Sequence, residues 1–356
     1  MGVGEKTRPQ SLMAITCRAF GNTRDGTAVD LYTLTADRIV AEVITYGGRL
    51  RSLQVADRRG ELSDVTVGFD RLADYLQDKH CCGSLVGRYA NRIRDGAFSI
   101  GSRRFQLTRN SGPDHLHGGF RGFDKVVWQA EVNGDRLILT YLSRDGEEGY
   151  PGNLTVTATY SFTAENELRL DFLGTTDRDT IVNLTHHPYF NLAASSELAE
   201  HTIRICGAAF LPVNERLLPT GKGVAVAGTA MDLRTPSRVD SRLESLDLQL
   251  LQAGGFDHTW ILDEGDGILA PAAEVAASAS GRCMTVLTSQ PGLHFYSANA
   301  FDAVVGRGGR VYRRHSCFAL EAQHFADSPN RPEFPSTVLT PDRHFRQTTI
   351  YRFSLC

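Results

Sequence analysis

Leu154-Thr155-Val156-Thr157-Ala158-Thr159-Tyr160-Ser161-Phe162 alternates apolar and hydroxyl-bearing residues without a break. A period of two is the pattern of a strand with one face buried and the other solvated. Leu168, Leu170 and Phe172 repeat it after the turn residues Ala164-Glu165-Asn166. Further out, Val29–Leu34 and Ile39–Thr45 read as strands joined at Ala36-Asp37, and Leu50–Val55 follows the Gly47-Gly48 break. Asp57-Arg58-Arg59-Gly60 is a turn, and Phe98–Ile100 with Arg103–Leu107 reads as a tight hairpin across Gly101-Ser102. Leu137–Leu142, Met284–Leu287, His294–Ser297 and a last segment near Thr348–Phe353 complete the strand signals.

Helical signals are short, at Arg71–Gln77 and Ser241–Leu251. No alternation of strands with long helices appears, so a parallel doubly wound sheet is excluded in favour of an all-β fold, a large antiparallel β-sandwich. No linker or short-period repeat interrupts the chain. Residues 1–12 are polar and lack the apolar core of a signal peptide, and read as a flexible extension before one domain over residues 13–356.

The composition narrows the function. A formal charge of -3 and no basic stripe argue against a nucleic-acid partner. No apolar run approaches the roughly 18 residues of a membrane helix. The seven cysteines are scattered, odd in number and without C-x-x-C, which predicts reduced thiols in the cytoplasm and buried structural roles. Thirty-four glycines in 356 residues exceed the usual roughly 7% and fit frequent turns. Neither a P-loop, a G-x-S-x-G, a dinucleotide fingerprint nor a zinc-spaced cysteine set occurs, so any chemistry falls to side-chain acids and bases.

Five constellations offer such groups. In Asn183-Leu184-Thr185-His186-His187-Pro188-Tyr189-Phe190-Asn191-Leu192, Pro188 biases His187 toward extended backbone, so His186 and His187 point to opposite faces and cannot jointly chelate a metal. Asn91-Arg92 places a guanidinium with several fixed donors before a hairpin. His115-Leu116-His117-Gly118-Gly119 puts two histidines on one strand face, a spacing that suits a metal in jelly-roll enzymes, but the carboxylate such sites need is missing. The paired glycines suggest close approach of backbone to a ligand, and a structural role fits His115 better than His117. Asp257, after Gly254-Gly255-Phe256, either accepts from hydroxyls or holds a turn. Glu321 stands among Phe318, Ala319, Leu320 and Ala322; burying a carboxylate there is costly, and burial strengthens it as a base.

In order along the chain, these pieces resemble the aldose 1-epimerases, also called galactose mutarotases. Asp64–Asp70 with Tyr75 is similar to D-x-x-x-G-F-D…Y, and Gly87–Ile93 to G-R-x-x-N-R-I. Asn110, His115–Gly119, Gly122-Phe123 and Trp128 resemble N…L-H-G-G…G-F…W. Thr185–Leu192 resembles T-N-H-x-Y-F-N-L, Gly255–His258 resembles G-Y-D-H, and Leu320–Gln323 resembles L-E-x-Q, followed by Asn330 and Phe334-Pro335. The resemblance runs from about Phe20 to Phe353.

It implies the mutarotase-like β-supersandwich and interconversion of the α and β anomers of a free aldose, with no cofactor and no metal. By position Glu321 resembles the general base and His187 the general acid, while Arg92, His117 and Asp257, with Asn91 and Gln323 beside them, resemble substrate-positioning groups. The implied partner is a monosaccharide (galactose, glucose or a pentose) bound by a monomer or homodimer. Five positions depart from the family pattern: His186 replaces Asn, His294 replaces Gln, Cys317 and Asp342 replace Gly, and Ala326 replaces Pro. His186 and His294 are the two expected to alter contacts with sugar hydroxyls. Three alternatives remain: a sugar-phosphate mutarotase, for which Arg49, Arg88 and Arg121 are candidate basic groups; a non-catalytic carbohydrate-binding sandwich; and a metal-dependent jelly-roll enzyme.

Overall fold

The computed structural model describes residues 14–163 and 166–356. The expected extension over residues 1–12 and the turn residues Ala164 and Glu165 lie outside the described residues. Three antiparallel sheets carry the fold. The largest has nine strands, in the order Gln129–Asn133, Arg136–Ser143, Leu154–Thr163, Glu167–Thr176, Phe345–Leu355, Arg282–Thr288, Ala270–Ala277, His201–Ile205 and Ser237–Arg238. A five-stranded meander runs Ala14–Asn22, Ala28–Ala36, Ile39–Ile44, Arg49–Ala56 and Leu62–Asp64. A six-stranded sheet is ordered Tyr189–Phe190, Phe318–Gln323, Gly292–Tyr296, Asp257–Ile261, Ala209–Leu211 and Val224–Ala225.

The alternation that opened the sequence reading sets the layers. Leu154, Val156, Ala158, Tyr160 and Phe162 turn inward and the intervening threonines outward. They join Leu34, Ala41 and Val43 of the meander and Trp260, Leu293, Phe295 and Leu320 of the six-stranded sheet in one continuous core. Each large side chain buried there contributes roughly 1.5–3 kcal/mol relative to exposure. The six-stranded sheet therefore has one face in the core, and its opposite face is free to carry polar groups.

The structure corrects three expectations. The single helix expected over Ser241–Leu251 is two, Val239–Leu243 and Leu248–Ala253, because Asp247 caps the second by accepting from the Gln249 N–H at 2.9 Å. The edge strand Ala14–Asn22 escaped the sequence reading because it is largely exposed and has no apolar alternation; backbone pairing with Ala28–Ala36 makes it a strand. The cysteines are not all thiols: Cys283 and Cys356 form a disulfide that ties the C-terminus to the neighbouring strand. Their 73-residue separation hid the pairing, which arises because those strands are adjacent in the sheet. Of the free cysteines, Cys82 and Cys317 are buried as expected, whereas Cys17 is exposed.

Several buried histidines are held neutral. Loss of hydration pushes His115 down to about 4, His186 to about 3 and His258 to about 4. In the unfolded chain each returns to an ordinary value near 6.5, so below that pH the unfolded chain binds protons that the folded chain refuses. Stability should thus fall as pH drops from about 6.5 toward 4, by on the order of 1.4 kcal/mol per pH unit for each such histidine. Thermal unfolding measured at about pH 7 and about pH 5 should show a clearly lower Tm at the acid value, and equal Tm values would contradict this burial.

Candidate active site

Three adjacent strands build the floor of the site. Asp257 lies opposite Tyr296, and His294 lies between Thr259 and Glu321 in cross-strand register. Because alternate residues face alternate sides, Trp260, Leu293, Phe295, Leu320 and Ala322 enter the core, while Asp257, His294, Tyr296 and Glu321 line a cavity of about 210 Å³. That volume is below the roughly 300–1,000 Å³ of drug-sized pockets and suits one sugar ring.

His187 reaches this cavity from a different element. The strand Thr185–His187 pairs with Ser84–Val86, and the Gly83 N–H donates to the His187 carbonyl at 3.0 Å. His187 Nε2 comes within 3.3 Å of Glu321 Oε1. His187 Nδ1 and Glu321 Oε2 are buried and have no partner among the described residues. As the extended backbone requires, His186 points the other way. It sits between Tyr160 and Tyr351, with each hydroxyl 3.3 Å from a ring nitrogen. The expectation that His186 alters sugar contacts is therefore corrected: it is a core residue.

Asn91, Arg92 and His117 form a wall. Asn91 Oδ1 accepts from the Arg92 N–H at 2.9 Å and from Arg92 Nη1 at 3.5 Å, and so holds the guanidinium toward the cavity. The Asn91 N–H donates to His117 Nδ1 at 3.2 Å. Burial, reinforced by His187 and Arg92, pushes His117 far below its ordinary value. A neutral imidazole that accepts at Nδ1 carries its proton on Nε2, so His117 presents a donor to the cavity. His115 and His117 do not share a face, because His117 takes a left-handed backbone (φ 50°) that ends the strand. His115 is enclosed instead, with Nδ1 2.7 Å from the Thr108 carbonyl and Nε2 2.6 Å from the Tyr150 hydroxyl. The glycines that follow approach protein rather than ligand: a Cβ on Gly118 would lie 1.8 Å from the Gly87 carbonyl oxygen, and one on Gly119 would meet the Glu148 carboxylate.

The segment 78–83 supplies a second wall that sequence reasoning missed. Lys79, His80 and Cys81 line the cavity. Asp78 anchors the segment through a fully buried ion pair with Arg49 at 2.6 Å and accepts from the Cys82 N–H at 2.8 Å and the His80 N–H at 2.9 Å. Burial and the nearby Asp124 and Asp78 push the Cys81 thiol well up, which keeps it protonated and unsuited as a nucleophile. The His80 ring packs on Phe301 with centroids 4.6 Å apart and forms an aromatic rim. Tyr296, two residues beyond His294, and Tyr189, two beyond His187, are lining residues that period-two spacing could have revealed.

Gln323 does not line the cavity. It lies one step further along the strand than Glu321, opposite Gly292, and is fully buried with its amide unpartnered among the described residues. Nor do the expected basic groups gather here. Arg49 is committed to Asp78 and to the Cys82 and Asp124 carbonyls. Arg88 is pushed down to about 10 by burial and donates to Ser143, Thr180 and the carbonyls of Pro151 and Gly152. Arg121 lines a separate open groove of about 520 Å³ with Arg24 and Lys125. That groove is larger but has no histidine–carboxylate pair among its lining residues, so the chemistry points to the smaller cavity.

His117, His187 and Glu321 place ligand atoms within 4.8 Å of one another, a geometry that invites a metal ion. The hydrogen bonding of His117 opposes it. A metal-bound histidine donates its other ring N–H to an acceptor, whereas His117 Nδ1 faces the Asn91 N–H, itself a donor. Metal at Nε2 would force two N–H groups together or require an imidazolate.

A histidine–carboxylate pair facing one small polar cavity is the arrangement of an enzyme site that moves protons. The aldose 1-epimerase family profile matches residues 30–352. Rat galactose mutarotase is 40% identical over 348 residues, covering 97% of this chain and 100% of that protein. Aldose 1-epimerase of Escherichia coli K12 is 33% identical over 335 residues, 92% of this chain and 96% of its own length. The crystal structure of galactose 1-epimerase from Lactobacillus acidophilus superimposes with a TM-score of 0.85 at 28% identity, covering 97% of this chain and 99% of that one. The chain belongs to the aldose 1-epimerase family.

Two measurements probe this geometry. Chelator treatment should leave the rate unchanged, and inactivation reversed by added metal would show that the His117 argument fails. Asp78→Ala leaves the buried Arg49 with only the longer contact to the Asp124 carboxylate at 3.8 Å and should cost about 3 kcal/mol in denaturant unfolding; a loss under about 1 kcal/mol would show that the pair does not anchor the wall.

Proposed function

We propose that this enzyme equilibrates the α and β anomers of a free aldose, with Glu321 as general base and His187 as general acid. The observation that carries the reading is the 3.3 Å contact between His187 Nε2 and Glu321 Oε1. Mutarotation changes the protonation of two oxygens bonded to the same carbon, the anomeric hydroxyl and the ring oxygen, so its acid and base must stand side by side. Glu321 takes the proton from the C1 hydroxyl as His187 protonates the ring oxygen, and the bond from C1 to the ring oxygen breaks. The open aldehyde turns about C1–C2. Ring closure on the other face returns the proton from Glu321 to the new hydroxyl and the ring-oxygen proton to His187. Arg92, His117, Asp257 and Asn91 hold the sugar hydroxyls during this exchange. No step in this scheme needs a cofactor.

Galactose is the first sugar to test, because the rat relative is a galactose mutarotase; glucose and pentoses follow. We read residues 13–356 as one catalytic domain, supported by the uninterrupted family match over residues 30–352, acting as a monomer or homodimer without nucleic acid or membrane. Among the described residues no helix is long and apolar enough to cross a membrane. Five free cysteines support a cytoplasmic setting, against which the Cys283–Cys356 bond stands.

Polarimetry on freshly dissolved α-D-galactose and α-D-glucose tests the activity. Glu321→Gln and His187→Asn should each slow the enzymatic relaxation roughly 10²–10⁴-fold with fold and sugar binding retained. Near-normal rates in either variant would remove that residue from its role. Binding without acceleration by the unaltered protein, on hexoses, pentoses and sugar phosphates alike, would make it a carbohydrate-binding module.

A further inference from the structure

We propose that His294 is a positioning residue, clamping Asp257 so that one carboxylate oxygen is fixed and the other is left to the sugar. The proposal rests on reading the cavity as a sugar site.

His294 occupies the middle strand of the floor, with Thr259 on one side and Glu321 on the other. Both ring nitrogens are engaged: Nδ1 lies 3.0 Å from Thr259 Oγ1 and Nε2 lies 2.9 Å from Asp257 Oδ1. The side chain is only 7% exposed, so it has no ring nitrogen left to offer a ligand. Asp257 Oδ2 takes no hydrogen bond from the described residues, and Asp257 lines the cavity. Whatever hydroxyl settles against this corner meets a carboxylate acceptor whose direction His294 sets. A glutamine, usual in the family pattern, offers a neutral amide at this position and no comparable charge.

The clamp carries charge. Asp257 on one neighbouring strand and Glu321 on the other both favour a proton on the ring, whereas burial and Arg92 oppose it. His258, His117, His187 and Tyr296 are the remaining titratable groups packed around this corner. The carboxylates prevail and hold His294 above its ordinary value, while its proton and Arg92 hold Asp257 far below the usual carboxylate range. As an imidazolium, His294 donates from both nitrogens, to Thr259 Oγ1 and to Asp257. Once neutral, it keeps the Asp257 bond only if the Thr259 hydroxyl rotates to donate to Nδ1. The contact survives with the carboxylate's charge alone, and the attraction between two opposite charges is lost. Sugar affinity should therefore weaken as pH rises through the His294 titration.

Two measurements on the full chain decide it. In histidine-labelled protein, the ring resonance lost in His294→Gln identifies His294 and should titrate with a midpoint above about 6.5, the unperturbed value; a midpoint at or below that overturns the clamp. This readout is independent of activity, so it separates failure of the clamp from failure of the sugar reading, which would show as absent mutarotation at every pH. In steady-state polarimetry, KM of the unaltered enzyme should rise with pH through the same midpoint, and this rise should vanish in His294→Gln, whose amide donates without titrating. His294→Ala should raise KM roughly tenfold at neutral pH, with the loss falling on KM rather than kcat. An unchanged KM–pH profile in His294→Gln, or a loss in His294→Ala confined to kcat, overturns the proposal.

Discussion

A strand can show only every second residue to a given face, and this constraint orders the whole site. In Phe318–Gln323 it sends Leu320 and Ala322 into the core and Glu321 into the cavity. The same alternation in Gly292–Tyr296 and Asp257–Ile261 aligns His294 and Asp257 beside it. A one-residue slip in any of these strands would bury the polar set and expose the apolar one. Core packing and the geometry of the acid–base floor are thus one arrangement seen from two sides, and the apolar face fixes the register on which the polar face depends.

The proposed acid–base pair is assembled from separate pieces. Glu321 belongs to the six-stranded sheet, whereas His187 lies on a short strand paired with Ser84–Val86. Their contact joins the floor to the segment 78–83, whose position depends on the buried Arg49–Asp78 pair. Charges taken out of water this completely are tolerated because each partner is further hydrogen-bonded, Arg49 to two carbonyls and Asp78 to two backbone N–H groups. An otherwise irregular loop is thereby made into a rigid wall, in keeping with the need to hold reacting groups closely in place.

Much of this was legible beforehand, for identifiable reasons. Strands with clean alternation, such as Leu154–Thr163, announced themselves, and an exposed edge such as Ala14–Asn22 did not. Glu321 stood out because a carboxylate among apolar residues is costly to bury without purpose, and His187 because Pro188 holds it extended, with His186 turned to the other face. Arg88 misled for the opposite reason: a buried guanidinium bound to carbonyls and hydroxyls looks, in sequence, like one waiting for a ligand. Gln323 shares a strand face with Glu321 but sits two residues further along, opposite Gly292 and outside the residues that line the cavity. The His115-x-His117 spacing suggested a shared face that one left-handed residue abolished.

By itself, the sequence determined the all-β class and the strands of strong alternation, because these depend on local periodicity, and the family, because its short motifs recur in order along the chain. The tertiary structure alone decided where Lys79 and His80 stand, that Cys283 reaches Cys356, that His186 lies between two tyrosines, and that both ring nitrogens of His294 are engaged by Thr259 and Asp257. Those outcomes depend on strand register and long-range packing, where a shift of one residue reverses the direction of a side chain and no local pattern records it.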